Sequence, residues 1–203
     1  MAEITFGLRS ILSLPRVYDL LQHIFGARSG RRMLVDRFIR PQPGDRVLDI
    51  GCGPAKVLAL MPDVRYVGYD PNPRYVEHAR RSFGTRGSFV AGRFTADDVG
   101  KYEPFDIGLL IGVLHHLDDA EAGDVLAHLR GAIRPGGRLV TLDNIFIENQ
   151  NPIARKIIEW DRGKNVRHAN EYRALAAPHF TAIQTTLLHR KIPPYTLFIM
   201  ECS

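Results

Sequence analysis

Residues Val47 to Ala55 read VLDIGCGPA, an apolar run that gives way to glycines directly after an acid. The run Arg46-Val47-Leu48-Asp49-Ile50 suits a parallel strand covered on both faces. Gly51 and Gly53 then let the backbone turn tightly and approach a ligand without side-chain obstruction. The order predicts a strand, a ligand loop and a helix start. A second apolar run, Arg65 to Tyr69, ends in Asp70, nineteen residues past Gly51. A carboxylate there can accept from both ribose hydroxyls of an adenosine. The loop separates two cofactor classes. A dinucleotide fold wants a third glycine in G-x-G-x-x-G, so that a pyrophosphate can sit on the helix N-terminus, and Gly51-Cys52-Gly53-Pro54-Ala55-Lys56 lacks it. Asp49 would also repel a pyrophosphate, whereas it suits an ammonium group, directly or through water.

With these residues the chain resembles the class I S-adenosylmethionine-dependent methyltransferases, whose hallmark is an acid-x-Gly-x-Gly-x-Gly loop followed by an acid ending the second strand. By element order the resemblance covers roughly residues 30 to 203. Ala55 stands where that family most often has its last glycine, a difference of one methyl from which little damage is expected. The resemblance implies S-adenosylmethionine as cofactor, contacted by Asp49, Gly51, Cys52, Gly53, Asp70, Pro71, Phe94, Ile111 and Gly112. Asp49, Gly51 and Gly53 would cradle its methionine end, Asp70 its ribose, and Ile111 and Gly112 would lie beneath it. Members commonly carry Gly-Asp after the third strand, the carboxylate accepting from the adenine amino group. Here Gly92-Arg93 precedes Phe94, with Asp97 and Asp98 further on, so either Phe94 offers a backbone N–H or a packing surface or a longer loop brings in Asp97.

Elements alternate as a parallel sheet requires, with candidate strands at 46–50, 65–70, 87–91, 105–111 and 137–143. Tyr75, Val76, Ala79 and Phe83 form one helical stripe. Val125, Leu126, Leu129, Ala132 and Ile133 form another, opened by Asp118 with Glu121 three residues later and stopped by Pro135-Gly136-Gly137. Phe180 to Leu188 and Tyr195 to Cys202 are β-rich runs joined through Arg190-Lys191-Ile192-Pro193-Pro194, which reads as a hairpin. A terminal hairpin that puts one antiparallel strand into a parallel sheet distinguishes the methyltransferase fold from dinucleotide folds. The expected fold is therefore a doubly wound α/β Rossmann-like sheet of seven strands, order 3-2-1-4-5-7-6 with strand 7 antiparallel.

The segment Phe105 to Asp119, FDIGLLIGVLHHLDD, resembles the family stretch that lies beneath the methionine part of the cofactor and faces the acceptor. Methyl transfer from a sulfonium is an in-line displacement, so the protein aligns the reactants and excludes water, and an O–H or N–H acceptor can also need a base. His115 and His116 are the candidates, because imidazole titrates near neutral pH. The ordinary alternative for each is a structural histidine at a strand end. Amino-methyltransferases of nucleic-acid bases place an Asn/Asp-Pro-Pro-aromatic tetrad here, and this chain has none. Ile192-Pro193-Pro194-Tyr195 sits in the terminal hairpin, where a turn explains it. Asp143-Asn144 matches the place of a magnesium-holding pair in catechol-type O-methyltransferases, but their further carboxylate has no counterpart in Gly112-Val113-Leu114-His115. The pair is read as capping a strand and lining the acceptor pocket, and no metal is expected.

The ends should decide the acceptor. Val17, Leu20, Leu21, Ile24 and Phe25 make an amphipathic stripe opened by Ser13-Leu14-Pro15, expected to lie over the pocket, and a second helix carries Leu34, Val35, Phe38 and Ile39. Met1 to Arg46 holds eight Arg against four acids, which suits a solvated basic face, with an anionic lipid surface or substrate as the alternative. The insert Asn149 to Phe180 reads as a variable substrate cover, in which Arg162 and Arg167 either hold an acceptor carboxylate or phosphate or pair with acids such as Glu159 or Glu171.

At 203 residues with 45% hydrophobic and 24% charged residues, the chain suits one domain. Its parts are an N-terminal cover (1–45), a cofactor core (46–144), and a substrate cover with terminal hairpin (145–203). Two cysteines, Cys52 and Cys202, make no disulfide framework, and no secretory pattern opens the chain, so a cytoplasmic location is expected. A net charge of +5 permits a nucleic-acid partner, yet the expected acceptor is a small molecule methylated on O or N. The alternatives are a cofactor-binding protein without transferase activity, one using a modified cofactor, or a nucleic-acid methyltransferase.

Overall fold

The computed structural model describes residues 27–160, 163–191 and 194–203. The expected helix over Val17 to Phe25, Arg162, and the Ile192-Pro193 corner lie outside the described residues. The strands are β1 (Arg46–Ile50), β2 (Arg65–Asp70), β3 (Gly87–Ala91), β4 (Phe105–Ile111), β5 (Ile133–Asn144), β6 (Ile183–Lys191) and β7 (Pro194–Cys202). They form one sheet in the order β3-β2-β1-β4-β5-β7-β6, parallel throughout except for β7, which runs antiparallel to both β5 and β6. The sheet is thus the one expected from the element order.

Each face of the sheet has its own core. On one, Val47, Tyr66, Ile107, Leu109, Val140 and Ile199 pack with residues of two helical segments. These are α1 (Ala27–Leu34), which runs on into a π turn at Val35–Ile39, and α2 (Pro73–Phe83). Leu34, Val35, Phe38 and Ile39 are all buried here, as their spacing predicts. On the other face, Leu48, Ile50, Leu110, Leu139, Phe198 and Met200 meet α3 (Asp119–Ala132) and α5 (Ala169–Ala176), with α4 (Pro152–Trp160) between those two in the chain. Asp118 caps α3 by accepting from the Glu121 N–H at 2.9 Å. Alternate residues of a strand point to opposite faces, so Asp49 shares its side with Val47 and Tyr66, amid apolar neighbours.

Several boundaries differ from expectation. No α-helix follows the glycine loop; the chain makes a 3-10 turn at Leu58–Leu60 and reaches β2 at Arg65. Pro62 explains this, since a proline disfavours helical backbone in the residue before it and donates no hydrogen bond itself. Helix α3 stops at Ala132, before Pro135, and β5 begins at Ile133 rather than 137, with a register shift against β4 between Phe105 and Ile107. Strand β6 starts at Ile183, because Phe180 is held in the last turn after α5 by its N–H on the Ala176 carbonyl. Ala55 adopts the left-handed backbone a glycine would favour, at φ 53°. The turn closes as it would with glycine, but the methyl stores roughly 1 kcal/mol of strain.

Candidate active site

Two carboxylates organise the loop after β1. Asp70, 7% exposed at the end of β2, accepts the Gly53 N–H through Oδ2 and the Asn72 N–H through Oδ1, both at 2.8 Å. The Gly51 and Cys52 N–H groups both donate to the Tyr69 carbonyl, at 2.8 and 3.0 Å. Gly51 and Gly53 sit at φ 74° and 54°, and a side-chain carbon added at Gly53 would meet open space. The loop is therefore a bare backbone rim fixed from below by the end of β2. Asp70 keeps a lone pair on each oxygen, the arrangement a vicinal diol requires.

Asp49 lies deeper and accepts the Tyr66 hydroxyl through Oδ2. Its Oδ1 is buried with no partner. Burial, joined by the nearby Asp70, raises its carboxyl to about 7 against the lowering effect of the tyrosine hydrogen bond. Gly68 makes this packing possible: a Cβ there would fall 2.8 Å from Cys52 Sγ and 3.0 Å from the Tyr66 ring. An orphaned carboxylate oxygen beside an open glycine rim fits a ligand with a cationic group. The ammonium of S-adenosylmethionine is such a group, and Asp49, the 51–53 backbone and Asp70 are the residues that would hold its two ends.

Beyond the rim, the loop touches the segment after β4. A Cβ on Gly51 would lie 2.5 Å from Val113 Cγ2, so the glycine lets the two loops close on one another. Ile111 and Gly112 are half-buried there, Gly112 at φ 73° with its N–H on the Leu142 carbonyl at 2.7 Å. Pro71 is exposed beside Asp70. The Phe94 side chain turns into the core, edge-on to Tyr69 at 5.1 Å between centroids, so what it can offer a ligand is backbone. Asp98 is committed to a turn cap and a 2.9 Å ion pair with Lys101, while Asp97 is exposed. Arg93 pairs with Glu121 at 2.8 Å.

The two histidines differ. His115 is buried and His116 exposed, their rings 4.0 Å apart between centroids. His115 Nδ1 is 2.7 Å from Asp143 Oδ1, and the same oxygen accepts the His115 backbone N–H at 3.2 Å. With Asp143 as the carboxylate, that oxygen accepts from both the backbone and the ring, and the ring proton sits on Nδ1. Asp143 is 1% exposed with Oδ2 unpartnered, and burial raises its carboxyl. The pair that reads as a strand cap thus includes the orienting partner of His115. The edge of the ring carrying Nε2 runs from Cε1, which faces Gly112, to Cδ2, which faces Gly163.

Arg167 corrects one expectation. It grips neither an acceptor nor Glu159 or Glu171. Its Nε and Nη2 donate to Asp119 Oδ1 at 3.0 and 2.7 Å, Nη1 to the Leu114 and Asn165 carbonyls at 2.9 and 3.0 Å, and Nη2 also to the Leu117 carbonyl at 2.8 Å. A guanidinium has five N–H donors, and all five are spent. The partners of Asp143 and Arg167, and the part of Tyr66 altogether, escape sequence reasoning because they are set by strand pairing and a long return loop. Among the described residues, no cluster of three or more His, Cys, Asp or Glu is placed to hold a metal. No helix among them is long and apolar enough to cross a membrane.

Residues 48–139 match a family model described as a methyltransferase domain. The chain is 29% identical over 126 residues to the tRNA (carboxymethyluridine(34)-5-O)-methyltransferase of Saccharomyces cerevisiae, a match covering 61% of this chain and 44% of that protein. It is 38% identical over 108 residues to the ubiquinone biosynthesis O-methyltransferase of Methylocella silvestris, covering 50% and 41%. The chain thus spans less than half the length of either curated relative. The solved apo structure of the S-adenosylmethionine-dependent methyltransferase SibL superposes with a TM-score of 0.72 at 18% identity, covering 96% of this chain and 60% of that one. Residues 48–139 are thus similar to a methyltransferase domain, and the strand order with its reversed seventh strand is that of the class I S-adenosylmethionine-dependent methyltransferase fold.

Proposed function

We propose that the protein binds S-adenosylmethionine and methylates a hydroxyl oxygen of a small molecule, with His115 as base and Asp143 as its orienting partner. Bound on the β1 loop, the cofactor supplies a methyl group on a sulfonium, which departs as a neutral thioether when a nucleophile attacks in line. Asp49 would hold the ammonium end and Asp70 the ribose, fixing where the methyl points. A neutral amine carries its own lone pair into such a displacement, whereas a hydroxyl gains its nucleophilicity by giving up a proton. The buried His115–Asp143 pair is the observation that carries the choice of oxygen. Nε2 would take the hydroxyl proton, and the Asp143 carboxylate would steady the resulting imidazolium through Nδ1.

The relative named for ubiquinone biosynthesis is an O-methyltransferase and the yeast relative is named for a 5-O position, which supports oxygen as the attacked atom. The yeast name, with the net charge of +5, favours one second reading, a tRNA acceptor. The test is release of S-adenosylhomocysteine on incubation with phenols, hydroxy acids or tRNA. Turnover on a hydroxyl compound that is lost in His115→Ala supports the proposal. Turnover on amines alone, or one indifferent to His115, contradicts it. Salt-sensitive binding and turnover of tRNA would move the acceptor to the second reading.

A further inference from the structure

The turn that carries His115, Leu114–His116, is one turn of 3-10 helix, held within itself by the His116 and Leu117 N–H groups on the Val113 and Leu114 carbonyls at 2.9 and 3.2 Å. So short a turn does not fix its own orientation. Its outward carbonyls are taken up from one distant segment. Arg167 covers those of Leu114 and Leu117, and the Asn165 N–H donates to that of His115 at 3.0 Å. Gly163, in the same segment, lies against the imidazole, and a Cβ there would overlap His115 Cδ2 and fall 2.9 Å from the His115 carbonyl. The segment is tied to the sheet in turn: the Phe146 N–H donates to the Arg167 carbonyl at 3.2 Å, and Ile145 bridges to Arg167.

We infer that Gly163–Arg167 is a strap that positions His115, with Arg167 the positioning residue and Gly163 the residue whose missing side chain leaves the ring its place. The inference rests on His115 as the base, since it explains how a buried ring on a single turn presents one nitrogen to Asp143 and keeps the opposite edge facing Gly112 and Gly163. Arg167 is 7% exposed and its Asp119 partner is open to solvent, so the pair's function is not that of a surface ion pair. Lysine in its place could not bridge two carbonyls and a carboxylate in one plane.

The test is the imidazole nitrogen spectrum of the full chain labelled on histidine, with the His115 signal assigned by its absence in His115→Gln. Wild type should show a single Nδ1–H tautomer. Gly163→Ala and Arg167→Lys should each lose that single form, giving mixed or broadened signals. Affinity for S-adenosylhomocysteine should stay within about twofold, because the β1 loop is untouched. Gly163→Ala removes no hydrogen bond and carries the test if Arg167→Lys does not fold. Folded variants with the wild-type His115 signal would overturn the strap, as would an Nε2–H tautomer in the wild type. A wild type that binds no S-adenosylhomocysteine would sink the methyltransferase reading instead, and the tautomer result would stand apart from it.

Discussion

His115 and Asp143 meet at 2.7 Å with both side chains out of solvent, one from the turn after β4 and the other from the end of β5. Parallel pairing sets this contact: Ile111 lies opposite Leu142, so the end of β4 stops level with the residue before Asp143 and the turn that follows brings His115 onto it. Asp143→Asn should therefore lower kcat by about 10²–10⁴-fold, as should His115→Ala, and leave cofactor affinity unchanged. The double variant should lose little more than either single one, which steady-state rates on an identified acceptor would check.

Cofactor binding should depend on pH through Asp49. Its carboxyl, raised from 3.8 to about 7, is protonated in the free protein below neutrality, while an ammonium ligand calls for the carboxylate. Affinity for S-adenosylhomocysteine should rise by up to tenfold per pH unit, roughly, as pH approaches 7 from below and then level off, with proton release in calorimetry. For the free protein the sign is opposite. A raised acid contributes stability that is full below 3.8 and lost as pH rises through about 7. Asp49→Asn should flatten both profiles.

Asp70→Ala should weaken S-adenosylhomocysteine binding by about 100-fold or more, since two charge-assisted bonds to the ribose are lost. It should also cost the fold about 1–3 kcal/mol, because the Gly53 and Asn72 N–H groups lose their acceptor. Calorimetry and denaturant midpoints read the two effects separately. Unchanged affinity would remove Asp70 from the ribose site.

Both thiols should be silent in the native state. Cys52 and Cys202 are buried, and burial pushes both up, Cys202 to about 12, with Asp49 adding to the effect at Cys52. An aromatic disulfide reagent at pH 8 should label neither until denaturant is added. Rapid labelling of Cys52 would show that the loop opens.

Much of this molecule is legible in its sequence. The alternation of apolar runs and helical stripes yields the strands and helices, and the family resemblance carried by the loop and the terminal β-rich pair implies their order and the reversed strand. The loop glycines announce themselves because only a bare backbone tolerates their turn. Asp49's environment is not legible: Tyr66 reaches it only through the β1–β2 register, and Gly68 reads as an ordinary strand interruption until Cys52 is seen folding over it. Arg167 reads as a grip for an anionic acceptor or a partner of acids such as Glu159 or Glu171, because a chain gives no sign that five carbonyl and carboxylate contacts will gather around one guanidinium. The helix start expected after the loop fails at Pro62, where local chemistry outweighs the usual element order.

The most direct measurement is calorimetric titration of the protein with S-adenosylmethionine and S-adenosylhomocysteine, with NAD as the control. The glycine rim and the unpartnered Asp49 oxygen predict that both sulfur nucleotides bind at a single site and NAD does not. A folded protein that binds NAD, or neither sulfur nucleotide, would contradict the account.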